Sequence, residues 1–457
     1  MLFHTWPFFL FLLVVLPVYL VLRQTRFAIW WLFAASYFFY GWWNPLYLLL
    51  IFYSTVLDYV VVILMDRSRR KRLWLVVSLV NNLLLLGFFK YADFVVENLN
   101  ALLRTAGIAF QLSAPDVLLP VGISFFTFQS MSYTIDFYRG QIPRERSFIR
   151  FATFVSFFPQ LVAGPIERAK ALLPQLKMHP PITTEDLGDG LSLFVVGLFK
   201  KIALANYLAL YVDEVYLVPE QYSAPALMLA TFAFAWQIYF DFSGYTDMAR
   251  GVARMMGYKL MLNFDNPYLA TGLTDFWSRW HISLSTWFRD YVYIPLGGNR
   301  HGIWMMYRNL FLTFVISGIW HGAGWNFAIW GVLHAIGTMI TYAGERSVWY
   351  AELPRLLKQV LVFVFVCFTW IFFRAESLGD ARLIVGRIFS SAWEDPAFPV
   401  LALLLIASIW LYQFLYESSA RRLLQTAVVK ITLVVLMILY MCVFPGTAAQ
   451  PFIYFQF

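Results

Sequence analysis

Long apolar runs recur along the whole chain, separated by short polar stretches. Most approach the roughly 20 residues that a helix needs to cross a hydrocarbon core of about 30 Å. The pattern predicts about eleven to twelve transmembrane helices, near residues 4–22, 28–42, 45–65, 73–89, 117–138, 187–211, 224–244, 309–320, 325–343, 356–374, 398–416 and 428–445. We therefore expect an all-α polytopic membrane protein that forms one integral membrane domain over residues 1–457.

Two stretches break this pattern. Between residues 249 and 302 the apolar periodicity stops, prolines interrupt the chain and charged residues become frequent. Polar backbone at membrane depth is tolerated only where protein or a water-filled cavity surrounds it, so this segment is predicted to be re-entrant or interfacial. In the segment 148–177, Pro159, Gly164 and Pro165 prevent one straight helix and predict a broken hairpin that dips in from the cytoplasmic face.

Composition and charge agree with a membrane location. The chain is 61% hydrophobic and 13% charged, whereas a soluble domain is about 45–50% apolar and about 25% charged. The basic cluster at residues 67–72 predicts a cytoplasmic loop, and the clusters at 23–26 and 139–150 fall on the same side, which places the N-terminus outside. This topology and anionic lipid headgroups account for the net charge of +8, so no nucleic-acid partner is assigned.

The segment 277–298 concentrates polar chemistry among aromatic residues. As one helix it would align His281 with Trp277 on one face and would place Trp280 and Trp287 on the adjacent face, so that an aromatic wall surrounds the imidazole. An aromatic belt helix at the membrane boundary would give the same pattern, because Trp and Tyr gather there. The segment is a candidate site rather than a diagnostic motif.

His321 is the sharper candidate. It lies in an apolar run between the small residues Gly318, Gly322 and Gly324, which leave room for another group. An ionisable side chain at membrane depth is by default a functional hypothesis. The alternative is a hydrogen-bonded core histidine that joins two helices, and His334 is assigned that structural role.

Carboxylates follow the apolar run that ends near Gly244. Asp241, Ser243 and Asp247 surround this glycine, where the helix is expected to end or break. The carboxylates are expected to pair with Arg250 or Arg254, to cap the helix, or to support a histidine tautomer. No metal site is predicted, because the chain lacks an HExxH motif and its two cysteines lie far apart in apolar runs.

Several long segments resemble one family. WSRWHISLSTWFRDYVYIPLGGNR and GIWHGAGWNFAIWGVLHA are similar to the two signature segments of the membrane-bound O-acyltransferases, in the branch of the alginate O-acetyltransferase membrane subunit. YFDFSGYTDMARGVARMMGYKLMLNFDNPY, LPVGISFFTFQSMSYTIDFYRG and FPQLVAGPIERAK resemble further blocks of that branch, so the likeness covers nearly the whole chain. It implies a multi-helix fold with a central tunnel through the membrane.

The resemblance also implies residue roles. The family's signature histidine corresponds to His321 and its second signature residue to His281. In acyl transfer, His321 would act as general base or accept the acyl group, while His281 would orient the acyl group or stabilise the oxyanion. The candidate substrate-binding or tunnel residues are Trp280, Trp287, Trp320, Asp241, Ser243, Asp290 and Asn326.

The implied reaction is transfer of an acetyl group from a cytoplasmic thioester, such as acetyl-CoA, across the bacterial inner membrane. The acceptor would be an envelope or secreted polysaccharide of the alginate, peptidoglycan or cellulose type. A periplasmic or extracellular acetyltransferase partner is implied as well. Transfer of D-alanine to teichoic acid, a transporter and a non-enzymatic scaffold remain alternatives. The apolar ending QPFIYFQF is expected to dock on the helices or on a partner.

Overall fold

All regular secondary structure in the described residues is helical. The computed structural model describes residues 1–178, 180–444 and 452–453. The helices are α1 Trp6–Leu22, α2 Phe27–Gly41, α3 Tyr47–Arg67, α4 Lys71–Thr105, α5 Ile123–Tyr138, α6 Phe148–Ser156, α7 Ala169–Met178, α8 Thr184–Phe199, α9 Asn206–Leu217, α10 Ala224–Met255, α11 Leu273–Arg279, α12 Ile282–Phe288, α13 Ile303–His321, α14 Trp325–Gly344, α15 Val348–Glu352, α16 Arg355–Arg374, α17 Leu378–Ser390, α18 Val400–Tyr416, α19 Arg421–Leu424 and α20 Ala427–Val443. Two π turns, Lys200–Ala205 and Arg289–Tyr293, follow α8 and α12.

The polytopic membrane fold is confirmed. Among the described residues, 7 helices are long and apolar enough to cross a membrane, one of them the continuous helix Thr184–Leu217 that α8, the π turn and α9 form together. They are accompanied by the shorter apolar helices α1, α2, α18 and α20. The predicted broken hairpin at 148–177 is present as α6 and α7 with a non-helical link between them. Within residues 256–302 the structure has only short helices and turns, whereas residues 249–255 of the predicted segment belong to α10.

Several predicted bounds were wrong for physical reasons. Helix α4 continues to Thr105, because the polar residues after Phe89 lower the hydropathy without breaking a helix. Helix α5 begins only at Ile123, because Gly122 has a left-handed backbone with φ 77°. Helix α10 does not end near Gly244 but continues to Met255. A Cβ at Gly244 would lie 2.7 Å from the carbonyl oxygen of Gly197, so this glycine permits a close helix crossing.

The chain divides into two compact units, the first formed by residues 1–191 and 249–261 and the second by residues 192–248 and 262–457. In the first unit α3, α4 and α5 pack together around the fully buried carboxylate of Asp58. Ser78 Oγ donates to this carboxylate at 2.5 Å and Asn82 Nδ2 at 2.9 Å, and Ser130 Oγ donates as well. These bonds satisfy a buried polar group that would otherwise be costly.

The second unit contains both candidate histidines. Helix α13 packs along α14, and α14 packs on α11 and α16. Gly318 and Gly331 allow the first of these contacts, since a Cβ at Gly318 would lie 2.4 Å from the carbonyl oxygen of Phe327 and 3.1 Å from Gly331 Cα. Close approach of backbones through small residues is the usual basis of helix packing in membranes.

Candidate active site

His281 lies in a break between two helices. The prediction of one helix through Trp277 and His281 was wrong, because α11 ends at Arg279 and α12 begins at Ile282. His281 has φ 44° and ψ 53°, a left-handed conformation that is uncommon for residues other than glycine. Such outliers persist only where their surroundings enforce them, and they cluster at functional sites.

Asn263 enforces this break. Its side-chain oxygen Oδ1 accepts hydrogen bonds from the backbone nitrogen of Ser283 at 3.1 Å and from Ser283 Oγ at 2.9 Å. Its main-chain oxygen accepts from the backbone nitrogen of Ile282 at 3.0 Å. A single residue therefore caps the start of α12 and holds the chain out of the helical path.

The same oxygen sets the tautomer of His281. Nδ1 of His281 lies 3.2 Å from Asn263 Oδ1. The amide of Asn263 cannot be reversed, because the backbone N–H of Ser283 can only donate and so requires an oxygen opposite it. Nδ1 must then carry the proton. In the neutral ring Nε2 is left with a lone pair that accepts hydrogen bonds and protons.

The imidazole of His281 is fully buried against aromatic rings. The ring of Phe242 stands 4.6 Å from it at 89°, and that of Phe264 lies 6.4 Å away. The predicted aromatic surroundings are present, although they come from α10 and from the loop before α11. Burial lowers the pKa of His281, which lies outside the candidate membrane spans, to about 3, so its ring is neutral at physiological pH.

His321 occupies the C-terminal end of α13 and is buried, with 5% of its surface exposed. Three aromatic rings surround it, with centroids at 4.9 Å for Trp320, 5.1 Å for Trp330 and 5.3 Å for Phe373. They bring α13, α14 and α16 together around one imidazole. Phe373 could not be linked to this site from its position in an apolar run.

Protein atoms fill the space beside the small residues around His321. We expected them to leave room for another group, and this was wrong. The backbone of α14 lies against Gly318, and a Cβ at Gly322 would lie 2.1 Å from the ring of Phe327. A Cβ at Gly324 would lie 2.3 Å from Oδ1 of Asn326. The glycines allow α14 to start and pack directly beside the histidine.

Asn326 ties the start of α14 to the end of α16. Its Nδ2 donates to the carbonyl oxygens of Ala375 at 2.9 Å and of Phe372 at 3.2 Å. Because Phe373 lies between these two acceptors in the sequence, the bonds hold the backbone that carries the ring in contact with His321. The predicted site residue Asn326 thus holds the surroundings of His321 in place.

Aromatic rings connect the neighbourhoods of the two histidines. From Phe264, which packs on His281, the path leads to Trp280 at 5.0 Å, then to Trp370 at 5.2 Å and to Trp330 at 6.0 Å. Trp330 in turn contacts His321. The predicted residues Trp280 and Trp320 are therefore part of the aromatic environment of the histidines.

A cavity of about 570 Å³ lies beside this aromatic cluster, between the pair α11–α12 and the pair α13–α14. Its volume is within the range of about 300–1,000 Å³ that small-molecule sites occupy. Trp277, Phe288, Leu310 and Phe314 give it an apolar body, and Arg289 adds a positive charge. Ser317, one turn before His321 on α13, also lines it.

Asp241 and Ser243 lie on α10 beside Phe242. Lys201 Nζ lies 2.7 Å from Asp241 Oδ1, and both side chains are only 4% exposed. Lys200 Nζ lies 2.7 Å from Asp247 Oδ2. In these two contacts the carboxylates meet lysines, because the π turn after α8 presents consecutive lysines to α10.

The remaining predicted residues are Trp287, Asp290, Ser243 and the structural histidine His334. Trp287 is buried and its ring lies 5.1 Å from that of Tyr291. Asp290 pairs with Arg289 at 2.9 Å near the surface, where the arginine side chain is 60% exposed. Ser243 is buried on α10. His334 donates to or accepts from Thr369 Oγ1 at 3.0 Å, as a core histidine would.

Sequence reasoning missed Asn263 and Lys201. Both are polar residues in mostly apolar surroundings, which was the available signal, but neither resembles a catalytic motif. Among the residues that the structure describes there is no group of three or more His, Cys, Asp or Glu side chains that could hold a metal ion.

The chain resembles known proteins over this region. A family model of the membrane-bound O-acyltransferases matches residues 140–378. The chain is 43% identical to a probable alginate O-acetylase of Pseudomonas aeruginosa, over 72% of this chain and 62% of that protein. It is 38% identical to a peptidoglycan O-acetyltransferase of Helicobacter pylori, over 70% of this chain and 65% of that protein.

A more distant relative has a different acyl group in its name. The chain is 29% identical to a teichoic acid D-alanyltransferase of Bacillus subtilis, over 56% of this chain and 69% of that protein. The chain spans less than two thirds of the length of the Pseudomonas and Helicobacter relatives.

Proposed function

Because the chain belongs to the membrane-bound O-acyltransferase family, we propose that it is an acyltransferase that moves an acetyl group from a thioester to a hydroxyl group. The observation that carries this proposal is the pair of buried histidines, each held in aromatic surroundings within a polytopic membrane protein. Acetyl is preferred to D-alanyl because the more similar relatives are named as O-acetylating proteins.

His321 is the proposed general base. It removes the proton from the acceptor hydroxyl as the oxygen attacks the thioester carbonyl. The tetrahedral intermediate collapses, the C–S bond breaks, and the thiolate takes up the proton from the imidazolium. The products are an oxygen ester and a free thiol. The small size of its glycine neighbours and the contact with Phe373 keep the imidazole in one position.

His281 is proposed to orient a substrate group. Its protonated Nδ1 faces Asn263, so the neutral ring presents a lone pair at Nε2. An acceptor at this atom fits the hydroxyl of a substrate better than a developing oxyanion, which needs a donor. Of the two roles that the resemblance implies for His281, orientation is therefore favoured over oxyanion stabilisation.

The cavity between α11–α12 and α13–α14 is the proposed site for the donor. Its apolar walls suit the thioester arm, and Arg289 suits an anionic group such as a phosphate of acetyl-CoA. Ser317 brings the cavity within one helical turn of His321.

The proposed final acceptor is an envelope or secreted polysaccharide, which a partner protein acetylates. In this proposal the chain lies in the bacterial inner membrane with its N-terminus outside, takes the acetyl group from a cytoplasmic thioester, and delivers it to an extracytoplasmic partner protein. The related proteins named for alginate and peptidoglycan support this class of acceptor.

The test compares cells that carry the wild-type protein, His321→Ala or the control His301→Ala, which changes an exposed histidine. Protein amounts in the membrane are matched first. Acetate and D-alanine are then released from envelope and secreted polymers with mild base and quantified.

We expect His321→Ala to abolish the acetate and His301→Ala to keep it. If D-alanine is lost instead, the acyl group is D-alanyl. If both ester contents are unchanged with His321→Ala, the proposed base is wrong and a transporter or scaffold becomes the better explanation.

A further inference from the structure

Residues 452–453 are buried in the second unit, with Phe452 1% and Ile453 2% exposed. We call this pair the clasp. The docking expected for the apolar ending is observed at these two residues, while residues 445–451 and 454–457 lie outside the described part of the chain. The clasp lies against α10, where Phe452 contacts Phe242, the residue whose ring packs on His281.

Asp241 anchors the clasp. The backbone nitrogen of Ile453 donates to Asp241 Oδ2 at 2.8 Å, and Lys201 lies 2.7 Å from Oδ1. Each oxygen of this buried carboxylate thus has its own partner. The bond comes from the main chain of the clasp, so it depends on where the chain lies rather than on the side chain of Ile453.

Phe452 supports the residue that packs on His281. Its ring lies 5.7 Å from that of Phe242 and 5.0 Å from that of Tyr245, which is one turn further along α10. Phe242 in turn stands 4.6 Å from the imidazole of His281, edge to face. Three rings are therefore in series, from the clasp through α10 to the histidine.

We infer that the clasp is a positioning element for His281: Asp241 holds its backbone, and Phe452 fixes the ring of Phe242 against the imidazole. This inference rests on the proposed role of His281 in acyl transfer. It assigns Phe452 and Asp241 to the alignment of the site rather than to contact with substrate. Loss of such alignment reduces turnover more than binding, since a misplacement of about 1 Å can cost about 10²-fold in rate.

The kinetic test uses isolated membranes that carry the full chain, prepared from cells that also make the acceptor polymer and the partner protein, and acetyl-CoA as the probe. Release of free thiol is followed over a range of acetyl-CoA concentrations and normalised to the amount of protein. The variants are Phe452→Ala, the conservative Phe452→Tyr, and Ile453→Pro, which removes the donating N–H. The matched controls are Ile453→Val and Phe444→Ala, because Phe444 is 56% exposed near the same end of the chain.

We expect Phe452→Ala and Ile453→Pro to lower kcat about tenfold or more, with KM for acetyl-CoA changed less than about twofold. Phe452→Tyr should restore most of kcat, and both controls should match the wild type. In a Phe242→Ala background, Phe452→Ala should cost nothing further, because the ring through which it acts is gone. Unchanged kcat in Phe452→Ala, or an equal loss in both backgrounds, would overturn the inference.

A second arm measures docking without activity. In a chain with Cys367→Ala and Cys442→Ala, Ile453→Cys should react slowly with a maleimide. It should react faster when Asp241→Leu and Lys201→Met remove the anchor together. Equal rates would show that Asp241 does not hold the clasp. If docking behaves as expected but wild-type membranes release no thiol, the proposed acyl transfer fails while the placement of the clasp stands.

Discussion

The side-chain oxygen of Asn263 contacts Nδ1 of His281 and also stabilises the break between α11 and α12. Asn263 Oδ1 lies 3.2 Å from Nδ1 of His281 and accepts the backbone N–H of Ser283 at 3.1 Å. The backbone donor fixes the amide orientation, and the amide orientation fixes the imidazole proton. The left-handed conformation of His281 and its tautomer therefore have a common cause.

Replacing Asn263 should disturb the backbone conformation and the tautomer of His281 and so lower activity. In Asn263→Leu no oxygen faces Nδ1 or Ser283, and we expect kcat for thiol release from acetyl-CoA to fall about 10²-fold. Asn263→Asp keeps the acceptors and should retain more activity than Asn263→Leu. Membrane amounts are matched by immunoblot. Equal activity in the two variants would contradict the assigned role of the side-chain oxygen.

The crossing of α13 and α14 should not tolerate a methyl group. A Cβ at Gly318 would lie 2.4 Å from the carbonyl oxygen of Phe327, and backbone cannot move aside as a flexible side chain can. We expect Gly318→Ala to lose about 1–3 kcal/mol of unfolding free energy, the usual cost of overpacking. Thermal unfolding in detergent measures the loss.

The control for this prediction is Gly87→Ala, on α4. A Cβ there meets nothing within 4 Å. Replacing a helical glycine with alanine in open space stabilises by roughly 1 kcal/mol. Similar melting temperatures for the two variants would mean that α13 and α14 are not held together at Gly318.

The sequence predicted most of the membrane helices because length and hydropathy decide them, although α5, in the predicted span 117–138, is not among the candidate spans of the described residues. It failed where contacts with residues elsewhere in the chain override the local pattern. The apparent helix through Trp277 and His281 has suitable helical spacing, but Asn263, which is distant in sequence, offers its start a better set of hydrogen bonds. Likewise, Gly244 suggested a helix end, and only the partner helix with Gly197 shows that it serves packing.

The sequence predicted the two histidines of the candidate site but not the residues that contact them. His281 and His321 stand out as polar residues in apolar segments and in motifs that resemble one family. Their partners do not. Phe373 is one of many aromatic residues in the chain, and its contact with His321 depends on how α16 packs, which periodicity along one segment does not specify.

The buried neutral state of His281 predicts a pH-dependent stability term. Burial lowers its folded-state pKa from 6.5 to about 3. Above pH 6.5 the ring is neutral in both states and contributes no difference. Between pH 6.5 and 3 the unfolded chain binds a proton that the folded chain does not, so stability falls as the pH falls, by about 2 kcal/mol at pH 5.

This term should disappear in His281→Gln. We expect the stability advantage of the wild type over His281→Gln to shrink between pH 7 and pH 5, as measured by thermal unfolding in detergent. The exposed His301→Gln variant serves as the control and should follow the wild type over this range. A difference between wild type and His281→Gln that does not change with pH would mean that His281 binds its proton equally in the folded and unfolded states over this range, and would contradict the lowered pKa.

Filling the cavity should separate donor binding from turnover. Leu310 lines the cavity from α13, whereas Leu312 on the same helix is 37% exposed and does not line it. If the thioester occupies this space, Leu310→Trp should raise KM for acetyl-CoA about tenfold, or about 1.4 kcal/mol. Leu312→Trp should leave KM unchanged. An unchanged KM in Leu310→Trp would place the donor elsewhere.

Single and double variants of the Lys201–Asp241 pair should distinguish its effect on protein stability from its effect on the position of His281. Lys201→Met alone leaves a carboxylate buried without its lysine, a change that typically costs 3–5 kcal/mol, so we expect little protein in the membrane. The double variant Lys201→Met with Asp241→Leu removes both charges, and replacing a buried pair by apolar residues is often neutral. Its abundance should recover.

Turnover of the double variant should stay low, because the anchor of Ile453 is lost with the carboxylate. Arg254 provides the control, because it is about one third exposed and pairs near the surface with Asp189 at 2.9 Å and with Asp186 at 3.3 Å. Arg254→Met should change stability by no more than about 1 kcal/mol. Recovery of both abundance and kcat in the double variant would mean that Asp241 matters only as the counter-ion of Lys201, and that the position of His281 does not depend on it.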